Sequence, residues 1–95
     1  MPMKKISINE VRSILANMGN TYVSLLTNEE LSSALLQDDL GLEDYEVAEL
    51  VENLEKVGRF FIAKPARDFL KNTSSVSVAL LRRICNDYVY DSKPC

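Results

Sequence analysis

The stretch "DDLGLEDYEVAELVENLE", residues 38–55, decides how this chain is read. Val47, Leu50, Val51, Leu54 and, just beyond, Val57 recur at helical spacing and form one apolar stripe. This predicts a helix over about 44–57, with Glu46, Glu49, Glu52 and Glu55 off the stripe. The stretch holds eight acids and no base. Three of its glutamate pairs (Glu46/Glu49, Glu49/Glu52, Glu52/Glu55) set like charges one turn apart, which costs helix stability. Either the row is a solvated face, or a partner with a basic surface offsets the cost on binding.

Towards the N-terminus, Ser7 and Glu10 make a capping box that opens a helix over 8–18, with Val11, Ile14 and Leu15 on its apolar face. Gly19 ends it. The connector 19–27, "GNTYVSLLT", is expected to pin Tyr22, Val23, Leu25 and Leu26 to the core. A second box, Thr27 with Glu30, opens a shorter helical segment near 28–37. Leu40 is expected to be buried, and Gly41 to take positive φ.

Towards the C-terminus, Gly58 is the expected stop of the central helix. "RFFIAK" is short and extended or irregular, and Phe60, Phe61 and Phe69 are assigned to the core. Pro65 suits the first turn of a short helix over 65–70. A last helix over about 75–89 is expected to bury Val76, Leu80, Ile84 and Tyr88, with Leu81 and Cys85 beside them. No strand period and no repeat is evident. The expected fold is an all-α bundle of four helices, one of them short, with a long connector after the first, in a single domain over 1–95.

The 95 residues can bury roughly 60–65% of the surface of the unfolded chain, enough for one core. No apolar run approaches the roughly 20 residues that span a bilayer, and the lysines of "MPMKKISINEV" precede no apolar segment of signal-peptide type. A cytoplasmic protein without a membrane partner is expected. Residues 1–56 hold eleven acids and four bases; residues 57–95 hold seven bases and three acids. An acidic front half disfavours nucleic acid as the main partner. Arg67, Arg82, Arg83, Lys64 and Lys71 give the rear half a basic side, which suits weak self-association with the acidic helix of a second copy.

The chain has no histidine and two cysteines, Cys85 and Cys95, with no zinc-ligand pattern. Cys85 is expected to be buried and Cys95 to be an exposed thiol. A serine nucleophile would lack its usual base, and the adjacent Asp38 and Asp39 point apart. No catalytic residue, metal or cofactor is expected, and the protein is read as non-enzymatic.

These residues resemble the acyl carrier protein family. Its central motif is D-L-G-x-D-S-L-x-x-V-E-L followed by L-E. Asp39, Leu40, Gly41, Glu49, Leu50, Leu54 and Glu55 match it, and Glu43 stands for its second aspartate. The segment "TSSVSVALLRRICNDYV", 73–89, is similar to the family's last helix, with Asp87, Tyr88 and Val89 at its end. The resemblance implies the carrier-type four-helix bundle with a short third helix. It also implies that Glu43, Glu46, Glu49, Glu52 and Glu55 meet a basic partner, an enzyme of fatty-acid or polyketide type. At the family's phosphopantetheine serine this chain has Asp44, followed by Tyr45. Aspartate has no hydroxyl to take the phosphodiester. Asp44 is expected to cap the helix and favour its dipole, or else to imitate the arm's negative charge; the aromatics, assigned to the core, are the residues that could instead fill the family's acyl cleft. Two alternatives stand beside this: a working carrier modified at another serine, and a helical interaction module unrelated to acyl metabolism.

Overall fold

The computed structural model describes residues 4–72 and 75–91. Five α-helices run in the order α1 (Ile8–Asn17), α2 (Asn28–Ser33), α3 (Asp44–Gly58), α4 (Lys64–Asn72) and α5 (Val78–Asp87). A 3-10 turn, Thr21–Leu25, follows α1. Two three-residue strands, β1 (Phe60–Ile62) and β2 (Val89–Asp91), pair antiparallel with Phe61 opposite Tyr90. The chain is thus mostly helical, as expected, but the strands are a correction. An alternation of only three residues, Phe60 and Ile62 inward and Phe61 outward, is too short to register as a period.

Both predicted capping boxes form. Ser7 Oγ accepts from Glu10 N at 3.2 Å and the Glu10 carboxylate accepts from Ser7 N at 3.0 Å. Thr27 and Glu30 repeat the arrangement at 3.1 and 2.8 Å. Each box satisfies two of the amides a helix start leaves unpaired. Helix α1 packs against the 3-10 turn, α2 and α3, and α2 packs against α5. The core is one cluster that takes Val11 and Leu15 from α1, Leu50 and Leu54 from α3, and Val78 and Leu81 from α5.

Several core assignments shift. In the connector Val23 is buried, but Tyr22 is exposed and Leu25 is 78% exposed, because the tight 3-10 turn aims one side chain inward. Phe60 is buried, whereas Phe61 and Phe69 are exposed. In α5 the buried side is Val78, Leu81, Ile84 and Cys85, while Leu80 is only partly buried and Tyr88 is exposed. Tyr88 lies past the helix end, so the helical period does not reach it.

Gly58 is the last residue of α3 but not its left-handed stop. The left-handed cap is Arg59, at φ 59° and ψ 47°. Gly58 is buried, and its missing Cβ leaves the space that the Phe60 ring occupies. Arg59 therefore takes the strained backbone while glycine serves packing. The N-terminal segment closes the same corner, with Lys4 N donating to Gly58 O at 2.8 Å. The segment is itself fastened to α5 by Ile6 N donating to Asn86 Oδ1 at 2.8 Å.

Candidate functional site

The turn before α3 is built by its own residues. Asp39 Oδ2 accepts from Leu35 N at 2.8 Å. Leu40 is buried and Gly41 has φ 70°, both as expected. Leu36 N donates to Val76 O at 2.9 Å and Val78 N to Ala34 O at 3.0 Å, tying this loop to the segment that enters α5.

Helix α3 opens with three acids in different roles. Glu43 holds the N-cap position, in extended conformation. The Glu46 carboxylate reaches back and accepts Glu43 N at 2.9 Å. Asp44 is the first helical residue, exposed, with its Oδ1 accepting from Gln37 Nε2 at 2.6 Å. Of the two local roles expected of Asp44, the cap position falls to Glu43, whereas its charge in the first turn favours the helix dipole as expected. Tyr45, next to it, is 72% exposed.

The glutamate row does not stay on one face. At about 100° per residue, an i+3 row rotates back by about 60° each step, so Glu55 stands about 180° around from Glu46. Glu43, Glu49 and Glu52 are exposed and Glu46 is half-buried. Glu55 is buried, at 9% exposure. Its carboxylate accepts Ile62 N at 2.9 Å and pairs with the Arg67 guanidinium. Assigning Glu55 to an outward docking face is therefore corrected: it ties α3 to β1 and α4. Its neighbour one turn back, Val51, already marks that side as buried, a signal present in the sequence.

A cleft of about 350 Å³ opens between α3 and α4. Asp44, Val47, Ala48 and Val51 face it from α3, at spacings of three, one and three, which share a helix face. Arg67, Leu70 and Lys71 line it from α4, and Leu36 and Val76 form its floor. None of Phe60, Phe61 and Phe69 lines it, so aromatics do not fill this space. Sequence reasoning did not single out Lys71 or Gln37 for this site, since their approach to α3 depends on how the chain folds back.

Cys85 is buried, as expected, and burial together with the nearby Glu55 charge pushes its thiol up to about 12. It is a neutral, unreactive thiol at pH 7. Cys95 lies outside the described residues. Among the described residues, no group of three His, Cys, Asp or Glu side chains stands close enough to hold a metal ion, and no helix is long and apolar enough to cross a membrane. Among the rear-half bases, Lys64 meets Asp68 at 3.7 Å, Arg83 meets Asp87 at 3.8 Å, and Arg82 Nε donates to Ile6 O at 3.3 Å. No protein-family model, no curated protein and no solved structure matches the chain.

Proposed function

We propose that this chain is a non-enzymatic, carrier-like helical domain without an attachment serine, docking on a basic surface of a partner protein through the start and outer side of α3. It bears neither phosphopantetheine nor an acyl group. The observation behind this reading is the acidic surface of α3. Glu43 and Glu49 are exposed and form no ion pair among the described residues, and Glu52 has only the exposed Lys56 at 3.9 Å. Such a surface pair contributes at most about 1 kcal/mol. The like-charge cost along the helix thus stays largely uncompensated within the molecule, and a cationic partner would relieve it. The exposed carboxylate of Asp44, where the resembled family has its serine, supports the absence of a covalent arm.

Glu49 and Glu52 are the positions for a test, because reversing Glu46 would also remove the bond to Glu43 N. Binding of the double variant Glu49→Lys, Glu52→Lys to fatty-acid and polyketide synthases and acyltransferases should fall at least tenfold. Unchanged binding to an enzyme that holds the native chain would end the docking reading. Intact mass after treatment with coenzyme A and a phosphopantetheinyl transferase tests the attachment claim. The native chain should gain nothing and Asp44→Ser should gain one arm. A gain by the native chain would restore the working-carrier alternative. Ser33 is poorly suited to that role, since its hydroxyl hydrogen-bonds the carbonyls of Glu29 and Glu30 at 3.2 Å each.

A second reading draws on the turn at Asp39, Leu40 and Gly41. Each residue has a local duty there: an accepted amide, a buried side chain and a positive φ. The family-like tripeptide therefore has a physical cause without any link to acyl metabolism, and the chain would be an independent interaction module with the same acidic face. Failure of the transferase to modify Asp44→Ser, with the variant folded, favours this reading.

A further inference from the structure

We infer that the open edge of β2 pairs with β2 of a second copy of this chain, antiparallel and centred on Tyr90, joining two two-stranded sheets into one of four strands. The inference is independent of the docking proposal, since it concerns another face of the molecule and another partner.

The hydrogen-bonding pattern fixes which backbone groups are free. In an antiparallel pair, residues alternate between those that exchange both bonds and those whose N–H and C=O point away. Ala63 N donates to Tyr88 O at 3.0 Å, in the same register as Phe61 opposite Tyr90. The alternate pairs, Ile62 opposite Val89 and Phe60 opposite Asp91, therefore turn their backbone groups outward. On the β1 side, Ile62 N donates to the Glu55 carboxylate at 2.9 Å. On the β2 side, the Val89 backbone has no hydrogen-bond partner among the described residues. One edge of the sheet is closed by α3 and the other is open.

An open edge is a template for a further strand, and its own geometry suits a second copy. A two-fold axis at Tyr90 brings Val89 opposite Asp91 of the other copy, so both outward residues of each strand pair in one register. The same axis sets Tyr90 against the second copy's Tyr90 at the site where facing side chains stand closest and aromatic pairs are favourable. Tyr90 is exposed and already meets the Phe61 ring, with 5.9 Å between centroids. Pairing extends that contact into a row of four rings. The charges agree with this arrangement. Glu55 places α3 at the β1 edge, so two copies meeting at β2 keep their acidic helices apart, one at each end of the joined sheet. Because the β1 edge is closed, pairing stops at two copies. The area sets the strength. Tyr88 and Tyr90, 53 and 57% exposed, offer about 100 Å² each, and with the strand edge the two copies bury about 600–800 Å², roughly half of a standard interface. The dimer is accordingly weak and forms in concentrated solution.

Sedimentation of the full chain from about 20 µM to about 1 mM, a range suited to an interface this small, should show a monomer–dimer equilibrium. In hydrogen exchange, the Val89 amide should gain protection in step with the dimer fraction. Tyr90→Lys and Tyr90→Glu each set like charges face to face and should weaken the dimer at least about tenfold. An equimolar mixture of the two variants should dimerise again, because position 90 meets itself across the axis. Glu49→Lys with Glu52→Lys, which fails in the docking assay if that proposal holds, should leave the dimer within about twofold, these charges being remote and screened. A chain that stays monomeric throughout the range would overturn the inference and leave the edge to a different protein. Exchange at Val89 that ignores concentration in the native chain overturns it whatever the variants do. So does a dimer indifferent to both charges at Tyr90, or a mixture that stays monomeric. A dimer lost in the α3 variant or dissolved by salt also overturns it, and assigns the association to the acidic helix instead.

Discussion

The two ends of α3 carry the same residue type to opposite purposes. At the start and outer side, Glu43, Glu49 and Glu52 are exposed and, among the described residues, almost without cationic partners. Near its far end, Glu55 is buried, holds the backbone of β1 and pairs with Arg67. The difference comes from helix geometry and from what arrives later in the chain. A spacing of three drifts around a 3.6-residue helix, so the row that begins on the outside ends on the inside. The burial of a carboxylate there is tolerable because a guanidinium and an amide meet it. Two glutamates three residues apart, Glu52 and Glu55, therefore answer different questions: one what the protein can meet, the other how it stays folded.

The largest effect separating the two ends should come from Glu55→Gln. It strips the charge from a buried acceptor and leaves the Arg67 guanidinium without its partner. Bonds to charged groups are worth about 1.5–3 kcal/mol each, and Arg67 retains access to water, so a loss of about 2–3 kcal/mol is expected. In a domain this size that is roughly 10–20 °C in Tm. Calorimetry of the single variant measures it. A change below about 2 °C would mean that Glu55 is no more structural than Glu49. Next comes Gly58→Ala at the same corner. The new methyl would meet the Phe60 ring, which is itself buried, and overpacking of that kind costs about 1–3 kcal/mol. The double variant Gly58→Ala, Phe60→Leu should recover part of that loss, since the smaller side chain can yield.

Glu10 stands between the two extremes, a partly exposed acid with a partner. Lys4 Nζ lies 2.7 Å from it, and the hydrogen bond to Lys4 is the main reason its carboxyl sits below the usual range, with the bonds to Ser7 helping. A lowered folded-state pKa means that the unfolded chain takes up the proton first as pH falls. Its contribution is fully present above about 4.5 and is lost on acidification through the lower folded value. Glu10→Gln should lower Tm slightly at pH 7 and bring the variant's Tm closer to that of the native chain below pH 4. A difference in Tm that stays constant with pH would remove Glu10 from the acids with a folded-state role.

How much of this was legible beforehand follows the range of the interactions. Capping boxes, the Gly41 turn, the middle of the α3 stripe (Leu50, Val51 and Leu54) and the burial of Cys85 depend on residues within one or two turns of each other and formed as expected, whereas at the ends of the stripe Val47 is only partly buried and Val57 is exposed. The paired strands, the outward Phe61 and Phe69, the buried Glu55 and the cleft depend on segments that meet only after folding. Gly58 shows the boundary well. A glycine at a helix end suggests the left-handed cap, but the Phe60 ring two residues on claims its empty side, and Arg59 takes the cap instead. The site was half visible for the same reason. Asp44 and the exposed acids could be found along the chain, whereas Arg67 and Lys71 reach it from α4, 23 and 27 positions beyond Asp44.

The one expected gain in stability is the most telling about the outer side of α3. Glu49 has like charges three residues away on both sides, at Glu46 and Glu52. Glu49→Lys replaces two repulsions with two attractions, each pair being worth about 0.2–0.5 kcal/mol. The new lysine would also follow Glu46 in the order that suits the helix dipole. A solvated carboxylate with no internal duty should thus be improved by reversal, by about 1–2 kcal/mol in urea unfolding at low salt, with the gain shrinking as salt rises. The stability assay and the binding assay then move in opposite directions for the same substitution. That opposition is the sign of a helix face kept acidic at some cost to its own fold. A loss of more than about 1 kcal/mol would instead place Glu49 with Glu55 among the acids that hold the molecule together, and the contrast between the two ends of α3 would collapse.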